Sequence, residues 1–111
     1  MDEKTSFHFE IETLPDDQAG NKVTAVKCHG SAVADNMGEF KAAVKSLITQ
    51  GGRTVIDLGD VRFVDSSALG AFVSLKVTAV KQGLCLLDFV QMTPRVLELL
   101  RLTRIDKLLA S

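Results

Sequence analysis

The sequence predicts an α/β fold with a mixed β-sheet that opens with an antiparallel hairpin and has helices packed on it. Three observations lead to this fold class. Residues 7–12 alternate strictly between apolar and polar side chains, which is typical of a strand with one hydrated face. A second β-prone run at 22–28 follows a short polar turn, and two strands joined in this way form a hairpin. From residue 37 onward, segments with helical spacing alternate with strand-like segments.

Size and composition narrow the class of protein. The chain has 111 residues, enough for one hydrophobic core, so we expect a single domain over residues 1–111. A net charge of −1 gives no basic surface for nucleic acid, and no apolar run is long enough to span a membrane. The polar start at residues 1–6 lacks the apolar core of a secretory signal, so the sequence predicts a cytoplasmic protein.

The hairpin is connected by a turn-rich stretch at residues 15–21, and His29 beside Gly30 is interpreted as the turn that closes it. Cys28 and Cys85 lie in strand-like apolar runs, which predicts two buried thiols in the reduced form. A metal site would need more ligands than the two histidines of the chain, and the sequence predicts no cofactor.

The first helix is indicated by an apolar stripe at helical spacing, formed by Met37, Phe40, Val44, Leu47 and Ile48. Asn36 with Glu39 three residues later fits a capping box, and Asp35 is an equally good capping residue. Gly51 and Gly52 predict the C-terminal end of this helix.

The next strand-like segment covers residues 54–58, and we expect both of its faces to be buried because it follows a helix. Gly59 and Asp60 predict a turn, after which residues 61–64 lead into a second helix from about Ser66 to Gln82. The run at 84–90 is the most hydrophobic segment and is predicted to be the central strand.

A third helix is predicted where Thr93 and Pro94 supply a cap and a first helical residue. Its apolar residues are Val96, Leu97 and Leu100. A last short element is predicted to hold Ile105, Leu108 and Leu109.

The candidate functional residues lie where the second helix begins. Asp65 is placed to cap this helix, with Ser66 and Ser67 in its first turn. At about 100° per residue, Ser67 heads a stripe that should be exposed, whereas Ser66 borders the apolar side. The stripe comprises Ser67, Gly70, Ala71, Ser74, Thr78 and Lys81, and the apolar side comprises Ala68, Leu69, Phe72, Val73, Leu75, Ala79 and Val80. On the pattern alone, capping is enough to explain an Asp and two Ser at a helix start.

Lys76 interrupts the apolar side of this helix. We interpret it either as a side chain that snorkels past its neighbours or as the point where the helix leaves the sheet.

Residues 55–58, and residues 61–70 with their core Asp65-Ser66-Ser67-Ala68-Leu69-Gly70, resemble the signature of STAS-domain anti-sigma factor antagonists. Residues 102–109 resemble the C-terminal segment of that family, and the β-β-α-β-α-β-α order is that of its fold. Two departures stand out. Ala68 occupies a position where the family more often has Gly, and the Asp that usually precedes the first helix is displaced or absent in residues 31–35.

The resemblance implies partner switching, with Ser67 as the phosphorylation site and with Asp65 and Ser66 supporting it. The unphosphorylated protein would bind an anti-sigma factor that is also a serine kinase, and the sigma factor would be freed. Phosphorylation would end this binding, and a serine phosphatase, typically metal-dependent, would restore it. The surface expected to bind the partner consists of Ala68, Gly70, Ser74, Thr78 and Lys81.

A closer alternative within the same fold is a STAS domain that acts without a phosphate switch, as an interaction subunit of a lipid-transport ATPase or of a larger signalling complex. An enzyme is disfavoured because a serine nucleophile needs a base within reach, and His8 and His29 are the only histidines. Neither serine lies in a Gly-x-Ser-x-Gly elbow. A two-component receiver with Asp57 as phosphoacceptor is disfavoured because receivers open with β-α units rather than a hairpin.

Overall fold

A computed structural model describes residues 6–105 and Leu109. The strands are β1 (Phe7–Leu14), β2 (Val23–Ala32), β3 (Gly52–Val64) and β4 (Cys85–Val90). The helices are α1 (Gly38–Gln50), α2 (Ser66–Gln82) and α3 (Pro94–Leu102), and a 3-10 helix covers Ala34–Asn36. The described strands form a sheet in the order β1-β2-β3-β4, with β1 antiparallel to β2 and the other neighbours parallel. The predicted mixed sheet with an opening hairpin and packed helices is confirmed.

The hydrophobic core lies between the helices and one face of the sheet. Val26, Ile56 and Phe89 are register neighbours across β2, β3 and β4, and all three are buried. Phe72 of α2 packs against Phe89 with ring centroids 5.5 Å apart, and against Phe40 of α1 with ring centroids 5.8 Å apart. Each such side chain contributes about 1.5–3 kcal/mol by leaving water. The core therefore fixes where α2 begins relative to the sheet.

The opposite face of the sheet, here called the open face, carries mostly charged side chains: His8, Glu10, Glu12, Lys27, His29, Arg53, Asp57 and Asp88. Along β3, Thr54, Ile56 and Leu58 are buried, whereas the residues between them are only half-buried. The prediction that both faces of this strand are buried is wrong, because its charged residues stay in contact with water on the open face.

The prediction that residues 84–90 form the central strand is also wrong. The crossovers through α1 and α2 add β3 and then β4 beyond β2, so β4 lies at an edge of the described sheet. Leu87 faces the core, while Leu86 is 50% exposed. The buried amino group of Lys76 donates a hydrogen bond to the Leu87 carbonyl at 2.5 Å, which satisfies part of this edge and explains a lysine on the inner side of α2.

Two predicted turns prove to be strand residues. β2 runs on through His29 and Gly30 to Ala32, and β3 runs on through Gly59 and Asp60 to Val64. The register between the two strands shifts at these positions, so local irregularities replace the turns. Gly30 has φ +101°, and a side chain there would collide with the Ser6 carbonyl, so the glycine is required by the strand rather than by a turn.

The predicted N-terminal cap of α1 is wrong, and the predicted N-terminal caps of α2 and α3 are correct. Asn36 does not cap α1, which begins after Met37 without a side-chain cap. Its side chain instead accepts from the Val33 amide and donates to the Ser31 carbonyl, both at 3.0 Å, and so shapes the 3-10 helix. The predicted caps of α2 by Asp65 and of α3 by Thr93 are confirmed.

The remaining predictions concern the thiols and the tail. Cys28 and Cys85 are buried and not disulfide-bonded, as predicted, and burial raises the pKa of the Cys28 thiol to about 12. At the tail, Leu109 is buried and Ile105 is half-buried, whereas Leu108 lies outside the described residues.

Candidate functional site

The candidate site lies where the neighbouring strands β2 and β3 both end. These strands are parallel, and Ala32 at the end of β2 pairs with Val64 at the end of β3. The chain then continues into the 3-10 helix on one side and into α2 on the other. We call Asp65, Ser66 and Ser67, which connect β3 to α2, the serine corner.

Asp65 ties the two chain segments of this corner together. One carboxylate oxygen accepts from the Ala68 amide of α2 at 2.8 Å, and the other accepts from the Ala34 amide at 3.1 Å. Its own amide donates to the Ala32 carbonyl at 3.0 Å. The predicted cap therefore does more than begin a helix, because it also holds the loop after β2 against the start of α2.

Both serines of the corner are exposed, and neither hydroxyl forms a hydrogen bond with a residue that the structure describes. Ser67 is exposed as the helical spacing predicts. Ser66, which the spacing places at the border of the apolar side, is exposed as well. Exposure alone does not distinguish the two serines.

The predicted partner surface on α2 is exposed in part. Gly70, Ser74 and Lys81 are exposed, and Thr78 is half-buried with its hydroxyl donating to the Ser74 carbonyl at 2.9 Å. Ala68 is 0% exposed, so the structure removes it from the predicted partner surface. The buried side of α2 comprises Ala68, Leu69, Ala71, Phe72, Leu75, Lys76 and Ala79.

The buried side of α2 differs from the predicted apolar side at Ala71 and at Val80. Ala71 is buried although it was placed in the exposed stripe, and Val80 is 67% exposed although it was placed on the apolar side. The buried side is set by the packing of α2 on β4 and α1, which the spacing within one helix does not encode.

Gly70 has no conformational reason to be a glycine. It lies within α2 without a positive φ, and a Cβ atom there would meet nothing within 4 Å. A glycine inside a helix costs about 0.5–1 kcal/mol relative to alanine. Its presence at an exposed position next to the serine corner is therefore consistent with a surface on which another molecule comes close to the helix backbone.

Sequence reasoning missed Arg62 and Phe63, which are both exposed although they precede the corner in a strand. The pattern of β3 is buried at Val61, exposed at the next two residues and buried again at Val64. A strand that continued its alternation would bury one of the two. The interrupted alternation of apolar and polar residues in this part of β3 could have indicated that Phe63 is exposed.

The histidines lie apart from the serines. His29 pairs with Asp60, five residues before Asp65 along β3, which is about 16 Å at strand spacing. Its Nδ1 lies 2.7 Å from the Asp60 carboxylate and its Nε2 lies 3.1 Å from the Glu10 carboxylate, and both contacts raise the pKa of His29 above its usual value. No histidine among the described residues is hydrogen-bonded to a serine of the corner.

The described residues offer neither a metal-ligand cluster nor a membrane-spanning helix. Within residues 6–105 and Leu109, no three His, Cys, Asp or Glu side chains come together in a way that could hold a metal ion. Each described helix is too short or too polar to cross a bilayer.

Residues 16–110 match the protein-family model described as Mlab, STAS domain. The match covers the whole serine corner and all elements from β2 to α3. No curated protein matches the sequence at a significant level.

Solved structures share the fold at low sequence identity. The unphosphorylated form of the anti-sigma factor antagonist SpoIIAA has a TM-score of 0.69 and 14% identity, over 90% of this chain and 84% of that one. An anti-sigma factor antagonist from Mycobacterium paratuberculosis has a TM-score of 0.62 and 23% identity, over 88% and 81%. An uncharacterised protein from Shewanella loihica with a SpoIIAA-like fold has a TM-score of 0.55 and 12% identity, over 90% and 81%. At these identities the likeness establishes the fold.

Proposed function

The chain belongs to the STAS domain family, and from that premise we propose that it is an anti-sigma factor antagonist of the partner-switching kind. Its unphosphorylated form binds an anti-sigma factor that is also a serine kinase, so that the sigma factor is released. Phosphorylation of Ser67 ends this binding, and a serine phosphatase restores it. The protein acts in the cytoplasm as a substrate and a ligand, and not as an enzyme.

The observation that carries this proposal is the exposed Ser67 hydroxyl in the first turn of α2, beside a cap that is already satisfied by Asp65. A kinase can reach such a hydroxyl without unfolding the corner. A phosphate adds about 1.5 to 2 negative charges, and the amides and dipole of a helix N-terminus favour that charge. We therefore expect the modification to leave the helix folded, although the nearby Asp65 carboxylate repels the phosphate.

The consequence of the phosphate then falls on the bound partner. A hydrated dianion that is forced into a protein contact without a counter-charge costs several kcal/mol. The contact surface proposed for the partner extends from the serine corner along the exposed part of α2. It comprises Gly70, Ser74, Thr78 and Lys81.

The test is phosphorylation by a purified anti-sigma kinase with ATP, followed by intact-mass and peptide mass spectrometry. We expect one added phosphate, located on Ser67, in the wild type and in Ser66→Ala. The matched variant Ser67→Ala should bind the kinase and remain unmodified. A phosphate found on Ser66 alone, or no phosphate at all, would contradict the proposed switch.

A second candidate is a STAS interaction subunit without a phosphate switch, of a lipid-transport ATPase or of a larger signalling complex. The observation that favours it is that Ser66 is exposed as well as Ser67. In that case the two hydroxyls serve an interface directly. Ser67→Ala would then weaken binding of the partner, whereas in a switch it preserves binding and prevents release.

A further inference from the structure

A groove opens between helix α3 and the last three residues of β3, which directly precede Asp65. Its volume is about 240 Å³. We call it the arginine groove, and the lining residues that matter here are Arg62, Phe63, Arg95, Glu98, Leu99 and Leu102. It adjoins the serine corner through Val64, which lines the groove and directly precedes Asp65.

Phe63 differs from every other phenylalanine in the chain. The other five of the six form a connected series of ring contacts that runs from Phe7 through Phe40 and Phe72 to Phe89. Phe63 takes no part in this series and is 48% exposed. A half-exposed aromatic ring at the edge of a groove is a common anchor in protein–protein contacts.

Helix α3 adds apolar surface to the other wall of the groove. Val96 and Leu100 face the core and are buried, whereas Leu102 is 77% exposed and Leu99 is half-buried. A short helix that packs correctly on the core has no structural need for an exposed leucine on its other side. Together with Phe63, these leucines give the groove an exposed apolar lining, to which charged residues are added.

The charges at the groove are mainly positive and are not used within the fold. Arg62 and Arg95 are exposed, and neither is within ion-pair distance of a carboxylate of any described residue. Arg53 on the open face shows the contrast, because Asp17 and Asp88 hold it at 3.0 and 2.5 Å. Among the described residues that line the groove, Glu98 is the single acidic one.

From this arrangement we propose that the arginine groove docks an acidic amphipathic helix of a partner protein. The apolar side of that helix covers Phe63 and Leu102, with residues three and four apart entering the groove, and its carboxylates pair with Arg62 and Arg95. The identification of this partner with the anti-sigma factor rests on the proposed function. A partner anchored here extends naturally over the serine corner, which is where a phosphate on Ser67 would meet it.

The first experiment tests the groove without any anti-sigma factor. The probe is a synthetic peptide of about 18 residues with leucines at helical spacing and glutamates beside them, long enough to form a helix. It is titrated into the isotope-labelled full chain while backbone amide signals are followed by NMR. We expect the largest shifts at Phe63, Leu99 and Leu102, and weaker binding as salt is raised.

Matched variants make this test specific. Leu102→Ser and the pair Arg62→Glu with Arg95→Glu should each weaken peptide binding by at least about tenfold. Val80→Ser changes another exposed apolar helix residue, outside the groove, and should leave binding unchanged. The proposal is overturned if a peptide with lysines in place of the glutamates binds as well, if the shifts map elsewhere, or if phosphatidylglycerol vesicles bind through these residues while the peptide does not.

The second experiment uses the purified anti-sigma kinase and separates this proposal from the proposed function. If the kinase binds and Ser67→Asp releases it, but Leu102→Ser binds as tightly as wild type, the groove proposal fails and the switch stands. If the acidic peptide binds the groove while the kinase does not bind the wild-type chain, the switch fails and the groove stands. If both Ser67→Asp and Leu102→Ser weaken the kinase complex, both are supported.

Discussion

On the open face of the sheet the charged side chains bind one another, whereas at the serine corner the hydroxyls have no partner among the described residues. Lys27 lies 2.9 Å from Glu12, and Arg53 bridges Asp17 and Asp88. At the corner, the Asp65 carboxylate satisfies the helix start and leaves Ser67 unused. The difference indicates that the polar groups of the open face hold strands in register, while those of the corner are free to meet another molecule.

The change with the largest expected effect is Ser67→Asp, which places a charge on the unused hydroxyl position. We expect it to weaken the complex with the anti-sigma factor by at least about tenfold, or about 1.4 kcal/mol, because the new carboxylate enters a contact surface without a counter-charge. Isothermal titration calorimetry measures the affinity. As a control on the open face, Lys27→Gln should leave it unchanged, and equal loss in both variants would show that the two regions do not differ.

The next effect concerns the stability of the corner itself. Asp65→Ala removes a helix cap and the contact with Ala34, and we expect it to lower the free energy of unfolding by about 1 kcal/mol or somewhat more. Thr93→Ala is the matched control, since Thr93 caps α3 through one longer bond of 3.3 Å. Urea unfolding followed by circular dichroism compares the two. A smaller loss for Asp65→Ala than for Thr93→Ala would mean that Asp65 does not link the loops.

Gly70→Ala should have opposite effects on stability and on binding. Because a Cβ atom has room at this position, alanine should stabilise α2 by about 0.5–1 kcal/mol. The same methyl group would stand between the helix and a closely packed partner, so we expect weaker binding of the anti-sigma factor. Thermal unfolding and calorimetry on one preparation measure both quantities. A more stable protein with unchanged affinity would remove Gly70 from the partner surface.

How far the sequence predicts this molecule depends on which interactions decide each feature. The hairpin, the bounds of α2 and the cap by Asp65 follow from local spacing and local hydrogen bonds, and they were predicted correctly. The position of β4 at the edge depends on how the crossovers add strands, which the hydrophobicity of residues 84–90 does not encode. Likewise, β2 continues through His29 because its partner strands extend that far.

The site shows the same division. Helical spacing predicts correctly that Ser67 is exposed. The burial of Ala71 and the exposure of Val80 depend instead on how α2 packs on its neighbours. The contact between Asp65 and the Ala34 amide joins residues 31 positions apart, so no local pattern reveals it. Phe63 could have been noticed from the interrupted alternation of β3, but its groove is formed together with α3, which follows about 30 residues later.

The smallest expected effect tests the open face through His29. Its hydrogen bond with Asp60, and then that with Glu10, raise the pKa of His29 above its ordinary value, while the ring of His8 is stacked on it at 4.7 Å. A group whose pKa is raised by folding stabilises the protein fully below its unfolded pKa of about 6.5 and ceases to do so as pH rises through the folded value. At about pH 5.5 the urea midpoint of unfolding should therefore be higher for the wild type than for His29→Gln. This difference should be smaller at about pH 8. Since the ring is close to solvent, we expect the change to be modest, with no effect on binding at the serine corner. If the difference between the two urea midpoints grew with pH, the Asp60 and Glu10 carboxylates would not be stabilising the protonated His29 ring. The open face would then have no role in fixing the register of β1.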